Sequence, residues 1–141
     1  MRTTPTIWLR TALVTGALNG LLAVSLGAFA AHRMADSAAS ESLRWIETGT
    51  RYGLAHGLAL LALAALAARD ELRSRWLMLA VVAFTLGTLL FSGTLYVMGL
   101  ADWHGPAPLV PVGGVLLIFG WGLLLLYGLT ARRRGESDGQ G

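Results

Sequence analysis

Apolar residues are not spaced along this chain as single faces of helices or strands; they come in long uninterrupted runs. Four stretches lack any Asp, Glu, Lys or Arg: Thr11–Ala31, Gly53–Ala68, Trp76–Met98 and Leu109–Ala131. Three of them hold 21, 23 and 23 residues, and Gly53–Ala68 holds 16. A bilayer core of about 30 Å needs about 20 apolar residues at ~1.5 Å each. The first, third and fourth runs meet that length. The second falls short, at about 24 Å, and extends backwards if Arg51 snorkels and Tyr52 sits at the interface. The pattern predicts an all-α integral membrane four-helix bundle with helices over about 11–31, 50–68, 76–98 and 109–131.

Composition agrees with that pattern. Of 141 residues, 55% are hydrophobic and 13% charged. About a quarter charged is usual for a soluble domain. Too few polar residues remain to cover four buried helices in water. Cysteine is absent, which removes disulfides, thiolate metal sites and thiol nucleophiles.

The first run also admits a signal-peptide reading, with Arg2 and Arg10 as the basic segment and Ala28-Phe29-Ala30 as a cleavage-like triplet. Its length and its small residues at helical spacing (Ala12, Gly16, Gly20, Ala23, Gly27, Ala31) favour a retained helix packed on a neighbour.

Charge sets the orientation. All 11 basic residues are Arg. Eight of them precede helix one, separate helices two and three, or follow helix four; Arg33, Arg44 and Arg51 lie in the first loop. Positive residues stay inside, so the expected topology is up-down-up-down with both termini cytoplasmic. The Arg residues lack interleaved aromatics, which argues against nucleic acid. Residues 1–131 form one four-helix transmembrane domain; 132–141 form a basic and then polar cytoplasmic tail. In the first loop, Ser40–Thr48 suits a short surface helix capped by Ser40, with Trp45 at the interface.

Polar residues inside the runs need an account, because hydrocarbon excludes them. Thr48, Tyr52 and His56 recur every four residues, as do Thr88, Ser92 and Tyr96. With His32 they form a candidate binding or structural cluster in the outer leaflet. Beside them run packing glycines: Gly16, Gly20 and Gly27 in helix one, Gly49, Gly53 and Gly57 in helix two, and Gly113 and Gly114 in helix four. The structural reading takes the cluster as interhelical hydrogen bonds, with His56 bridging to Ser92 and Tyr96 and Asn19 making a helix–helix bond.

Catalytic constellations are poor. No carboxylate lies within a run, so Ser92 with His56 lacks a group to orient the imidazole. The spacing of His32, His56 and His104 suits neither zinc nor haem. The sequence thus points to no catalytic residue, metal or cofactor.

Four blocks stand out together. They are Gly27-Ala28-Phe29-Ala30-Ala31-His32, Trp45-Ile46-Glu47-Thr48-Gly49 with Tyr52 and His56, Leu90-Phe91-Ser92-Gly93-Thr94-Leu95-Tyr96, and Pro111-Val112-Gly113-Gly114 with Gly120-Trp121. In that order and spacing they resemble the YgdD family of small bacterial inner-membrane proteins, a domain of unknown function with transmembrane relatives in eukaryotes. The resemblance covers residues 11 to 128 and implies a multi-pass membrane protein, without an established activity, substrate or cofactor. Two readings follow. The first is a non-enzymatic packing or accessory module of the plasma membrane, whose partners are lipid and either itself or another membrane protein. The second is a channel or transporter using the outer polar cluster for a small solute or proton. If helix one is retained, intact mass spectrometry finds residues 1–30 in the membrane-extracted protein, apart from loss of Met1. A mature chain beginning at Ala31 would remove helix one from the bundle.

Overall fold

The computed structural model describes residues 7–36, 41–67, 75–101 and 103–131. All regular structure among them is helical: α1 (Ile7–Asp36), α2 (Glu41–Ala67), α3 (Arg75–Thr88), a π-helical segment (Leu89–Gly93), α4 (Thr94–Ala101) and α5 (Leu109–Ala131). The α3, π and α4 segments follow one another without a break, so four long rods result. Ser40, Arg69, Arg73, Arg132, Arg133, Arg134 and the tail lie outside the described residues.

Among the described residues, three stretches are long and apolar enough to cross a membrane: Ile7–His32, Arg75–Ala101 and Leu109–Leu129. The second rod, α2, is long enough at 27 residues, but its first half carries Glu41, Arg44, Glu47 and Arg51. Its bounds correct the sequence expectation. Instead of a surface helix over Ser40–Thr48 and a separate span from residue 50, one helix runs continuously from Glu41. Charged side chains do not stop a helix; they reach out to water while the backbone continues. Glu47 and Arg51, one turn apart, pair on the exposed side of it. Likewise α1 runs beyond 11–31 at both ends. The bounds of α5 coincide with the charge-free run, because Pro106 and Pro108 precede it and a turn leads in: Leu109 N–H donates to Pro106 O at 2.9 Å and Val110 N–H to Ala107 O at 3.1 Å.

The central rod is α3–π–α4. Half of its most apolar stretch is buried, against 17% in α1 and 22% in α5. Phe84, Leu77, Ala80 and Val81 of α3 meet Leu60 and Leu63 of α2 and Leu117 and Leu123 of α5 in the main apolar core. A smaller core joins Ala30 of α1 to Leu43 and Ile46 of α2. Large apolar side chains also point outward, among them Leu21 and Val24 on α1 and Val115, Ile118 and Leu125 on α5. Exposed apolar patches of that extent fit a hydrocarbon surround.

Close approach comes through glycine. A Cβ on Gly16 would lie 2.9 Å from Gly57 O, and one on Gly57 would lie 2.9 Å from Asn19 Cβ, so the two stripes meet where α1 crosses α2. Gly27 faces Thr50 of the same helix pair. A Cβ on Gly49 would strike the Tyr96 ring at 2.8 Å. The tightest backbone contact is Gly113, whose Cβ would stand 2.5 Å from Phe91 N and 2.9 Å from Leu90 C in the π segment. Gly20 and Gly114 are less critical: a Cβ on Gly20 meets nothing within 4 Å, and one on Gly114 only touches the Phe91 ring at 3.7 Å. Three further contact glycines were not among the expected packing glycines, although Gly120 belongs to the fourth sequence block. Gly87 faces Leu117, Gly99 faces Ile46 and Ser42 O, and Gly120 faces the Phe84 ring.

Backbone cannot retreat as a side chain can. Gly113→Ala is therefore expected to push α5 away from the π segment and cost about 1–3 kcal/mol. Gly122→Ala, with nothing within 4 Å of the new Cβ, is the control. Thermal unfolding in detergent, followed by circular dichroism, checks the pair; equal melting temperatures would refute a backbone-tight contact.

Candidate functional site

Two polar centres lie in the bundle, at adjacent levels. The first is built on His56 of α2, which is 6% exposed. Trp121 of α5 donates its indole N–H to His56 Nε2 at 3.0 Å. Indole nitrogen can only donate, so Nε2 is the acceptor and the proton sits on Nδ1. That nitrogen lies 2.8 Å from Tyr52 O, one turn earlier in α2, and donates to it. The imidazole is thereby neutral and satisfied at both nitrogens. Aromatic rings enclose it: Phe84 at 5.4 Å and Trp121 at 6.0 Å, themselves 5.3 Å apart, with Tyr52 stacked at 6.0 Å. Tyr52 in turn leans on Phe91 at 4.6 Å.

His56 thus bridges two helices, as one donor and one acceptor allow, but its partner is Trp121 and not Ser92 or Tyr96. The four-residue spacing gave the face of α2 and left open which neighbour covers that face. A Trp in an apolar run suggests an interfacial anchor, so Trp121 carried no signal as a hydrogen-bond donor.

The second centre lies between α1, α2 and the central rod. Asn19 of α1 donates both amide hydrogens, to Thr15 O at 2.9 Å and to Thr88 Oγ1 at 3.3 Å. Thr88 Oγ1 passes its own proton to Phe84 O at 2.9 Å. The expected helix–helix bond of Asn19 therefore ends on Thr88. One turn along, Ser92 is 1% and Tyr96 7% exposed; the Ser92 and Thr85 hydroxyls have no hydrogen-bond partner, whereas the Tyr96 hydroxyl has that of Thr50 as its neighbour. Gly53 explains the geometry. A Cβ there would lie 3.0 Å from Tyr96 Oη, 3.4 Å from Asn19 Oδ1 and 3.5 Å from Ser92 Oγ. Three oxygens from three elements thus crowd against a bare stretch of α2 backbone, where a methyl would be tight. Asn19, Ser92 and Tyr96 also line a cleft of about 210 Å³ between α1 and the central rod.

The π segment sets this arrangement. A π turn accommodates one extra residue, which brings Phe91 against Gly113 and places Ser92 toward Gly53. Of the remaining sequence candidates, Thr48 is half-buried on α2 and His32 is exposed near the end of α1. His104, in the turn before α5, meets the Trp45 ring edge-on at 4.8 Å. The structure thus brings Ser92 and Tyr96 together with Asn19 and Gly53, places Thr88 beside them, and draws Tyr52 and His56 into the aromatic cluster.

The Trp121–His56 bond gives a direct test. His56→Ala should cost about 1–2 kcal/mol in detergent. Trp121→Phe, which keeps the ring and removes the donor, should destabilise less and be non-additive with it. Tyr96→Phe should add to His56→Ala within about 0.5 kcal/mol, since no hydrogen bond joins them. A double-mutant cycle read by melting checks this; additivity of His56 with Trp121 would show that the bond carries no stability.

Comparison with known proteins gives the family. Residues 26–114 match the model of a family described as a protein of unknown function (DUF423). The chain is 38% identical over 125 residues to the UPF0382 inner membrane protein YgdD of Escherichia coli K12, covering 89% of this chain and 94% of that one. It is 39% identical over 112 residues to a UPF0382 membrane protein of Haemophilus influenzae, covering 79% and 87%. A Staphylococcus aureus UPF0382 membrane protein is 34% identical over 114 residues, covering 81% and 91%. No solved structure matches. The four sequence blocks, the apolar helical rods and this similarity agree: the chain belongs to the UPF0382/DUF423 family of membrane proteins whose function is unknown.

Proposed function

We propose that this chain is a non-enzymatic accessory module of the bacterial plasma membrane, spanning it four times in up-down-up-down order with both termini cytoplasmic. The observation that carries the non-enzymatic reading is the state of His56. It is the imidazole buried in the core, and both its nitrogens are engaged in holding α2 and α5. A general base needs a free nitrogen within reach of a substrate proton, and a proton carrier needs one that can exchange.

The three apolar stretches of membrane-crossing length among the described residues support the multi-pass reading. At 27 residues and ~1.5 Å each, α2 reaches about 40 Å, so its charged first turns can stand in the headgroup layer while Thr48–Ala67 crosses the hydrocarbon with Arg51 snorkelling outward. The alternation of direction draws support from paired contacts in opposite numerical order: Gly16 with Gly57 and Gly27 with Thr50, then Gly99 with Ile46 and Gly53 with Ser92, then Gly87 with Leu117 and Gly113 with Phe91. Eight Arg against three support the cytoplasmic termini. The name of the Escherichia coli relative supports the inner membrane as the site. The outward apolar side chains of α1 and α5 supply surface for lipid and for a second copy or another membrane protein.

A channel or transporter is the second reading. The unpartnered hydroxyl of Ser92 within the π segment favours it, because irregular helix at membrane depth often lines a transport site. Reporter fusions and flux measurements separate the readings. A reporter after Gly141 should read cytoplasm and one inserted between Gly99 and Pro108 should read outside. Proteoliposomes should pass protons and small neutral solutes no faster than empty liposomes. The reverse reporter pattern would overturn the orientation, and protein-dependent flux lost in Ser92→Ala would favour the transporter.

A further inference from the structure

The cleft between α1 and the central rod is a groove in the outer side of the bundle. On α1 it runs from Thr15 to Leu22, about 10 Å of helix. That segment is the middle of the apolar stretch Ile7–His32. A spanning α1 therefore sets the groove at the bilayer midplane, lengthwise along the bilayer normal. Leu18 and Leu22 form one rim and Leu89 the other, and all three are exposed on the outside of the bundle.

The floor holds polar residues but turns few polar atoms to the groove. Asn19 has both amide hydrogens on Thr15 O and Thr88 Oγ1, and Thr88 gives its proton to Phe84 O. The hydroxyl oxygens of Thr85 and Ser92 are buried beneath the surface, and that of Tyr96 is buried beside Thr50. No lining residue is charged, so the surface on offer is mostly carbon. Gly93 keeps the groove deep: a Cβ there would meet only Leu89 Cδ1, at 3.9 Å. The volume is about 210 Å³. An apolar cavity of roughly 150 Å³ takes up a benzene ring, so there is room for a stretch of about six to eight carbons.

Depth and chemistry together select the occupant. Left empty, the walls forfeit dispersion contacts. Water needs about two to four polar partners, which this surface does not turn toward it. Head groups do not reach the midplane; the distal carbons of lipid chains do, and the groove opens onto them between Leu18, Leu22 and Leu89. We propose that the groove binds the distal part of one phospholipid acyl chain, lying lengthwise between α1 and the central rod. The chain fills the gap that the Asn19–Thr88 bond spans at its floor. This rests on the proposed spanning of the bilayer by α1 and the central rod, and it holds whether or not the protein transports anything.

The test places the full-length protein in phosphatidylcholine nanodiscs. They are doped with a phosphatidylcholine that carries a diazirine near the end of one chain. After irradiation, labelled peptides are mapped by mass spectrometry. Labels should fall within Thr15–Leu22 and Thr85–Gly93, and also on the outward face of α5 around Ile118 and Leu125, which lies at similar depth. Gly93→Leu plugs the groove from its floor. Leu22→Trp roofs it from the rim and leaves the π segment untouched. Either change should lower groove labelling on the order of tenfold and leave α5 labelling constant. Stripping lipid from the detergent-extracted protein should lower its melting temperature, and added phosphatidylcholine should restore it. Gly93→Leu should respond much less, because its own side chain occupies the space. Groove labelling that ignores both variants, the result for ordinary contact with surrounding lipid, would overturn the proposal. So would α5 labelling with none in the groove, the result for a groove covered by a second copy or holding water. Loss of α5 labelling in the unchanged protein would instead refute the embedding on which the proposal rests.

Discussion

Helices in hydrocarbon gain nothing from leaving water a second time, so they must be held by contact distance and by internal hydrogen bonds. In this bundle contact distance comes first. Gly16 and Gly57 let α1 and α2 touch backbone to backbone, and Gly113 does the same for α5 against the π segment. Gly49 and Gly120 receive aromatic rings, from Tyr96 and Phe84. Each glycine removes a side chain at a crossing and thereby brings the flanking side chains into dispersion contact. Everything else, including which polar groups come within reach of one another, depends on those crossings.

The polar groups are then divided between two solutions. Around His56 each donor has its acceptor, and the aromatic enclosure leaves the imidazole no second arrangement. Around Gly53 three oxygens crowd together and that of Ser92 remains unmatched. The contrast lies within a single helix, one turn apart on α2. A fully satisfied network stiffens a core, whereas an incomplete one retains a capacity to bind. The first therefore serves the fold, and the second is where the fold has left chemistry unspent.

Much of the architecture was legible in the sequence because exclusion of charge is a one-dimensional signal. It marked three membrane-length stretches among the described residues and, with the prolines before it, the bounds of α5. Helix ends were less legible: α1 and α2 continue through charged residues, because ionised side chains can reach water from a helix that goes on. Partners were less legible still. The spacing of Tyr52 and His56 identified a face, but Trp121, 65 residues away, could be assigned only once α5 was docked. Asn19 was read as a helix–helix bond, and the nearness of its Oδ1 to Gly53 was invisible without the crossing of α1 and α2. The π segment had no signature, since Leu89–Gly93 is as good an α-helix as its neighbours.

That segment has a consequence for how such a chain can change over generations. One surplus residue turns everything after it by roughly 100° about the rod axis relative to an uninterrupted α-helix. Tyr96 and Leu95 meet Gly49 only from the rotated position. Keeping all five residues of Leu89–Gly93 in α-helix would swing α4 so that these side chains face away from α2, whereas deleting one of them would iron out the bulge and leave that facing as it is. The surplus residue is absorbed within one turn, and the phase of the central rod is fixed on either side of it, by α5 at Phe91 and by α2 at Tyr96.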